Sequence, residues 1–372
     1  MAGTLGTVGF FVALVLVIVV HEAAHFAFAK GFGIKVTEFF VGFGPRIWSF
    51  RRGETEYGLK AIPAGGYVRI AGMSPYETLA PEDLPRTFGA KPIWQRALVI
   101  VAGPTTHLVL AFVLFALWVG LVGRPVATSP LIAAVAPRLD GQVSPAAAAG
   151  LRPGDRIVRV GDLVNPTDLE LVRYTREHVG EPVPFTIERD GRRFEVTLVP
   201  VLATVAGERV GRIGVLLGRA RETAGPLGAI AGGAGVTWDS VVETVGNFGR
   251  VFGPRGIGRV LELLLTNAPR TERDPASVVG IGRVAAQTAS SGAGDLLYLF
   301  AYVNVFIGLL NLIPLPPFDG GHLALLALEK VRGRAIDARK IVPVSVAVLA
   351  FFVLFSLSVM YLDLVKPISL AP

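Results

Sequence analysis

The chain has 372 residues, of which 52% are hydrophobic and only 17% are charged, and its mean hydropathy is +0.55. These values exclude an ordinary soluble globular protein and predict a polytopic α-helical membrane protein. Cysteine is absent, so disulfides and thiolate metal ligands are excluded, and any bound metal must take nitrogen and oxygen ligands. The net charge of +7 comes without a basic stripe interleaved with aromatic residues, so no nucleic-acid partner is expected.

Four apolar stretches approach the ~20 residues needed to cross a bilayer. They are residues 5–29, 97–122, 296–313 and 341–361. A cleaved signal peptide is the alternative for the first stretch, since Ala27-Phe28-Ala29 resembles a cleavage site. No Lys or Arg precedes that stretch, however, so we expect a retained helix and four transmembrane helices in all.

The first stretch contains His21-Glu22-Ala23-Ala24-His25, an HExxH motif. On a helix, His21 and His25 lie ~6 Å apart along the axis and can offer two nitrogens to one zinc ion. Glu22 projects beside them and can act as general base towards a water. Each ionisable side chain costs at least ~2.5–3.5 kcal/mol at the bilayer centre, so a compensating metal explains the motif better than a packing role.

Residues 36–73 alternate apolar and polar side chains and are interrupted by glycines, which predicts a small membrane-associated β-hairpin or three-stranded sheet. Arg46–Phe50 and Thr55–Ile62 are the most favourable pair, with Tyr67–Ile70 following. Such a sheet beside the first helix could offer an open edge to an extended substrate. A plain cytoplasmic loop is the alternative.

Residues 125–219 have a soluble-like composition and predict a separate α+β domain. A helix is predicted over Asp168–Glu177, entered by Asn165-Pro166-Thr167. The strand candidates are Leu131–Val135, Arg156–Val160, Val183–Glu188, Arg193–Val199 and Ile213–Leu217.

Residues 220–292 predict an amphipathic segment over Pro226–Leu265, on the outer membrane surface, followed by a linker. A fifth span is the alternative for the segment, although charged residues interrupt it repeatedly. Residues 268–274 of the linker contain several charges and are expected to be solvated.

The third apolar stretch ends in Asn311-Leu312-Ile313-Pro314-Leu315-Pro316-Pro317-Phe318-Asp319-Gly320. The prolines prevent regular helix and the glycine permits a tight turn, so Asp319 can point inward at membrane depth. A catalytic zinc usually has three protein ligands, and Asp319 is the candidate for the third. The alternative is an aspartate that merely caps the next helix.

Lys and Arg are concentrated between the first two apolar stretches and again between the last two, which predicts that both connections are cytoplasmic. The N-terminus and residues 125–219 would then be extracytoplasmic. The first and third helices would both run inward, which brings His21, His25 and Asp319 to the cytoplasmic side of the membrane.

These motifs resemble those of the site-two protease family, in the bacterial branch of the regulator of sigma-E protease. HExxH and NxxPxPxxDG occur in the family's order, and the run from Ser144 to Ile157 (SPAAAAGLRPGDRI) resembles bacterial PDZ domains. The resemblance implies that residues 1–124 and 293–372 form the two halves of an intramembrane protease core around one inserted PDZ domain, in a bacterial cytoplasmic membrane.

The family resemblance also implies the residue roles and the partners. One zinc would be held by His21, His25 and Asp319, with Glu22 as general base. Asn311 and the β-region would bind the substrate backbone or the oxyanion, and the β-region residues singled out are Gly42, Gly44, Gly65, Gly66 and Tyr67. Substrates would be single-span membrane proteins such as anti-sigma factors or signal-peptide remnants, and peptide or protein tails would bind the PDZ domain.

The chain departs from the family at His107, where Gly103-Pro104-Thr105-Thr106-His107 replaces a common Gly-Pro-x-x-Asn pattern. His107 could donate a hydrogen bond near the metal, act as an occasional fourth ligand, or pack beside the site without binding the metal. The last role is favoured for His107, and a structural role near the site is favoured for His322. A zinc transporter or metal sensor, and a membrane scaffold with a degenerate protease core, remain the alternative functions.

Overall fold

The computed structural model describes residues 2–74, 76–125, 130–205, 208–218, 221–271, 274–334 and 336–367. Positions 126–129, 206–207 and 219 of the predicted PDZ segment, 272–273 of the predicted linker and 368–372 of the last segment lie outside these described residues. The chain divides into two compact units, one of residues 1–118 with 226–370 and one of residues 119–225 with 371–372.

The helices and strands follow one another along both units. The α-helices are α1 (Ala2–Gly31), α2 (Ile93–Leu121), α3 (Pro145–Ala148), α4 (Asp168–Glu177), α5 (Pro226–Phe252), α6 (Pro254–Leu265), α7 (Val278–Ser291), α8 (Ala293–Asn311), α9 (Asp319–Arg332) and α10 (Val342–Val365). The strands are β1 (Val36–Arg52), β2 (Thr55–Ile70), β3 (Arg124–Pro125), β4 (Leu131–Val135), β5 (Arg138–Leu139), β6 (Gln142–Val143), β7 (Arg156–Val160), β8 (Leu163–Val164), β9 (Val183–Arg189), β10 (Arg192–Leu198), β11 (Val201–Val205), β12 (Glu208–Arg212), β13 (Val215–Gly218) and β14 (Arg221–Glu222). Short 3-10 helices cover Pro81–Arg86 and Ala338–Lys340.

Four of the described helices are long and apolar enough to cross a membrane. They are Val8–Gly31 of α1, all of α2, all of α8 and all of α10. Even the shortest, with 19 residues, is ~28 Å long at 1.5 Å per residue, which matches the ~30 Å hydrocarbon core. The prediction of four spans is confirmed at this level of length and composition. Helix α5 is not among the described helices that qualify.

The β-region forms one twisted sheet from two long, bent strands. Residue pairing joins Trp48 to Leu59 and Phe50 to Tyr57, as expected for the predicted pair. The first part of β1 lies between the two ends of β2, because Phe39 is opposite both Tyr57 and Val68. Within the described pairing, residues 66–70 are paired on one side only. The sheet therefore has four extended segments rather than two or three, and residues 66–70 form one of its edges.

A shared core holds the sheet against the C-terminal end of α1 and the N-terminal part of α2. Its buried members are Ala29, Ile34, Val36, Ile70, Phe88, Val99 and Ile100. Because this core includes residues of α1, β1, β2 and α2, it fixes the end of the HExxH helix, the sheet and α2 relative to one another.

Helices α5 and α7 pack on the four long helices instead of forming a loose connection. A Cβ atom on Gly233 of α5 would lie 2.6 Å from Cα of Ala116, so α5 crosses α2 at close range. Helix α7 packs between α1 and α8 through Phe10, Ala285 and Val303.

The expectation of a solvated linker over residues 268–274 is wrong at Arg270. The Arg270 side chain is 2% exposed and its Nη1 lies 2.7 Å from Oδ1 of Asp363 in α10. The carboxylate of Asp363 also accepts a hydrogen bond from the Ser277 backbone N–H. Charge counting predicted solvation because it could not reveal a partner nearly a hundred residues away.

The smaller unit is built on an antiparallel sheet of order β10-β9-β7-β4-β13, with β8 paired to β7. Its buried core includes Ile132, Ile157, Leu171, Phe185 and Ile187. Helix α4 begins with a capping box, in which the Thr167 hydroxyl accepts from the Glu170 backbone N–H and the Glu170 carboxylate accepts from the Thr167 backbone N–H. The signal Asn165-Pro166-Thr167 therefore identified the correct helix start.

Candidate metal centre and active site

Three atoms that are able to bind a metal converge in the larger unit from two distant parts of the chain. Nε2 of His21 and Nε2 of His25 lie 3.1 Å apart, and Oδ2 of Asp319 lies 3.4 Å from each of them. Among the described residues these three side chains form a group able to hold a metal ion. Both histidines are buried, at 8% and 7% exposure.

The backbone of α2 orients His25. Its Nδ1 lies 2.8 Å from the carbonyl oxygen of Val99, and because a carbonyl only accepts, Nδ1 carries the proton. A neutral His25 then presents the lone pair of Nε2 towards His21 and Asp319. Hydrogen bonding through the other ring nitrogen is the usual device that fixes a metal-ligating histidine.

A tight turn between α8 and α9 positions Asp319 next to His21 and His25. Helix α8 ends at Asn311, and Asp319 is the first residue of α9, after Phe318 at the N-cap. A Cβ atom on Gly320 would lie 2.2 Å from the carbonyl oxygen of Leu312, and one on Gly321 would lie 2.3 Å from the Pro316 nitrogen. Only glycine fits at these two positions. Phe318, not Asp319, is the N-cap residue of α9, and Asp319 Oδ2 has no hydrogen-bond partner among the described residues, so the structure does not support the alternative of a capping aspartate.

The three residues fit a zinc ion. The ligand separations of 3.1 and 3.4 Å compare with edges of about 3.3–3.4 Å for a tetrahedron with ~2.0–2.1 Å bonds. Asp319 Oδ2 is buried and has no hydrogen-bond partner among the described residues, as expected for an atom that serves a metal. A Cβ atom on Gly103 would lie 2.2 Å from His25 Nε2, so the glycine keeps the space beside the ligands open.

Glu22 lies between this cluster and the sheet edge. A Cβ atom on Gly66 would be 3.4 Å from Cγ of Glu22. Residues 66–70 are the segment that pairs on one side only. The structure thus brings an unpaired backbone edge next to the acid that follows the first ligand.

The other predicted β-region residues line the same part of the sheet. Gly42 and Gly44 have positive φ angles of 89° and 83° where β1 bends past Ile62. The ring of Phe43 covers Gly65 and stacks on the Tyr67 ring, with ring centroids 6.3 Å apart.

The remaining predicted residues are Asn311, His107 and His322. Asn311 ends α8, with its Nδ2 3.1 Å from the carbonyl oxygen of Ile307. The rings of His107 and His21 have centroids 5.1 Å apart, but neither His107 nor His322 belongs to the three-ligand group. Sequence reasoning missed Asn304, which is fully buried and lies 3.1 Å from His107. The available signal was an isolated amide within an apolar stretch.

The sequence matches that of a known protease family. The model of peptidase family M50 matches residues 9–356. The chain belongs to peptidase family M50. The resemblance to site-two proteases is confirmed, and this M50 protein is a zinc metalloprotease.

Full-length relatives agree with this assignment. The chain is 34% identical to zinc metalloprotease Rip1 of Mycolicibacterium smegmatis, over 98% of both chains. It is equally similar to zinc metalloprotease Rip1 of Mycobacterium tuberculosis, again 34% over 98% of both chains. A solved PDZ domain from Listeria monocytogenes covers 25% of this chain and 92% of its own at 18% identity, but its TM-score of 0.21 is too low to establish a shared fold.

Proposed function

We propose that this M50 protein hydrolyses peptide bonds inside the transmembrane segments of single-span membrane proteins, using one zinc ion held by His21, His25 and Asp319. One observation carries the proposal: the HExxH motif lies on a helix that qualifies as a membrane span, with an unpaired sheet edge next to its glutamate. A soluble substrate would not need a site at that position.

The residues divide the chemistry between them. Bound zinc supplies a Lewis acid that polarises the scissile carbonyl and acidifies a water. The Glu22 carboxylate takes the proton from the attacking water and returns it to the leaving amine nitrogen. The amide of Asn311, at the end of α8, binds the substrate backbone or the developing oxyanion.

The sheet edge addresses the main obstacle to cleaving a helix in a membrane. A helical substrate hides its carbonyls in backbone hydrogen bonds, and unpaired amides in hydrocarbon cost several kcal/mol each. An unwound segment that pairs with residues 66–70 recovers part of those bonds beside Glu22. Gly42, Gly44, Gly65 and Tyr67 shape the sheet that provides this edge.

Lys and Arg distribution supports a cytoplasmic-membrane protein with its N-terminus and residues 125–219 outside and the metal site towards the cytoplasm. In this arrangement residues 125–219 form a PDZ domain that receives peptide or protein tails. Anti-sigma factors and signal-peptide remnants are the substrate classes that such an arrangement suits.

The test compares Glu22→Gln with a control, Glu82→Gln. Glu82 is exposed and lies on the 3-10 helix Pro81–Arg86. Each form is co-expressed with tagged anti-sigma factors and cleaved signal peptides. Glu22→Gln should abolish cleavage while the purified protein keeps its zinc, and Glu82→Gln should cleave like wild type. Cleavage that survives Glu22→Gln would contradict the proposal. Zinc flux that persists in Glu22→Gln would favour a transporter. A cellular function that survives Glu22→Gln but is lost on deletion of residues 125–219 would favour a scaffold.

A further inference from the structure

The two histidine ligands are supported in different ways. Nδ1 of His25 donates to the Val99 carbonyl, whereas Nδ1 of His21 is buried and has no hydrogen-bond partner among the described residues. Ligating histidines usually depend on such a partner to hold the ring and fix its tautomer. Something else must therefore keep His21 in its ligating orientation.

The ring that packs on His21 is His107. The two ring centroids lie 5.1 Å apart, with the planes inclined by 50°, and His107 is 1% exposed. A Cβ atom on Gly308 of α8 would lie 3.0 Å from Cβ of His107, so α2 and α8 leave this ring little room to move.

Asn304 on α8 fixes the orientation of His107. Its Nδ2 donates to the Phe300 carbonyl at 2.8 Å, so its Oδ1 is the atom that faces Nδ1 of His107 at 3.1 Å. An amide oxygen only accepts, and His107 must therefore donate through Nδ1. Both side chains are almost fully buried, where leaving a donor or an acceptor without its hydrogen bond is strongly unfavourable. The pair thus has one strongly favoured arrangement.

We propose that Asn304 and His107 are positioning residues for His21: the amide holds the His107 ring, and that ring holds His21 as a zinc ligand in place of the missing hydrogen bond. The inference deepens the proposed function and rests on its zinc site. It also ties α8, which leads to Asp319, to the helix that carries the other two ligands.

The test measures zinc affinity by chelator competition on the purified, folded full-length protein. Asn304→Leu removes the acceptor at similar volume and should weaken zinc binding 10- to 100-fold, the usual effect of losing a partner behind a metal ligand. Thr105→Val is the control, because the exposed Thr105 hydroxyl donates to the Val101 carbonyl of its own helix and has no other partner in the described part of the chain. That variant should bind zinc like wild type.

A double variant separates positioning from stability. Asn304→Leu alone leaves His107 Nδ1 unpaired, but Asn304→Leu with His107→Phe removes both polar partners and should recover the thermal stability of the wild type. We expect its zinc affinity to stay at least about tenfold below wild type, because the ring is no longer held by a hydrogen bond. Wild-type zinc affinity in either the single or the double variant would overturn the positioning role.

The two proposals fail in different ways. If wild type and His25→Ala bind zinc equally, the zinc site itself is wrong, and the proposed function fails with it. If His25→Ala loses zinc while the Asn304 variants keep wild-type affinity, the zinc site stands and only the positioning role is refuted.

Discussion

Gly103 shows how much the metal centre depends on a single absent atom. A methyl group there would lie 2.2 Å from Nε2 of His25 and 2.7 Å from Cε1 of His21. His25 cannot turn away without losing its bond to Val99, so the added carbon would clash with the two proposed zinc ligands.

We expect Gly103→Ala to lose zinc and peptidase activity while it remains folded. Gly9→Ala on α1, where the added carbon meets nothing within 4 Å, is the matched control and should keep both. Zinc content per protein, measured after dialysis, checks the outcome. Equal zinc in the two variants would show that the space beside Gly103 is not used by the metal centre.

A second residue-scale prediction concerns Asp155 in the smaller unit. Burial raises the pKa of Asp155, but hydrogen bonds from the Arg189 guanidinium and the Arg152 backbone N–H outweigh it, so the pKa lies below its ordinary value. A depressed folded-state pKa contributes stability above the unfolded value of ~3.9, and this stability is lost as the pH falls towards the folded value.

Asp155→Asn should therefore destabilise residues 119–225 by about 1–3 kcal/mol near neutral pH and flatten their acid sensitivity below about pH 4. Hydrogen exchange of β7 and β9 amides in the full-length protein measures both effects. Glu188→Gln, which breaks a pair with the exposed Arg193, should cost under ~1 kcal/mol. An Asp155 variant no less stable than the Glu188 variant would contradict the stabilising role of the bonds to the buried Asp155 carboxylate.

At the scale of elements, the crossing of α5 over α2 depends on a glycine that sequence patterns do not single out. A Cβ atom on Gly233 would lie within 2.8 Å of Ala116 backbone atoms, whereas one on Gly235 would meet nothing within 4 Å. Both substitutions to alanine should favour the helix itself by ~1 kcal/mol.

The two substitutions should consequently shift the thermal unfolding midpoint in opposite directions, or only Gly233→Ala should shift it. Gly235→Ala should leave the thermal unfolding midpoint unchanged or raise it, while Gly233→Ala should lower it by forcing α5 and α2 apart, at a cost of about 1–3 kcal/mol. Unfolding of both purified variants in the same detergent makes the comparison. If Gly233→Ala unfolds no lower than Gly235→Ala, the close crossing is wrong.

What the sequence could predict at this scale follows from the distance over which each signal acts. HExxH places two ligands within one helical turn, and Asn165-Pro166-Thr167 marks a helix start, so both could be inferred locally. The contact of His107 with Asn304 spans 197 residues. It could not be predicted from either residue alone, because it forms only where α2 and α8 pack together. The double pairing of β1 depends likewise on a fold-back that strand alternation does not encode.

At the scale of the whole molecule, orientation in the membrane is the next prediction. The chain has no native cysteine, so single cysteines report exposure without background. We expect Arg192→Cys in β10 to react with a membrane-impermeant maleimide in intact cells, and Arg339→Cys between α9 and α10 to react only after permeabilisation. Reversed labelling would place the metal site towards the outside and contradict the charge-based orientation.

In the proposed metal centre, one zinc ion joins the first span to the aspartate after α8. Anomalous diffraction at the zinc edge, from crystals of the full-length protein, would locate this ion. We expect a single peak about 2.0–2.2 Å from His21 Nε2, His25 Nε2 and an Asp319 carboxylate oxygen. A zinc peak at another position would contradict this site. So would a zinc-loaded structure in which the three side chains point away from one another with no ion between them.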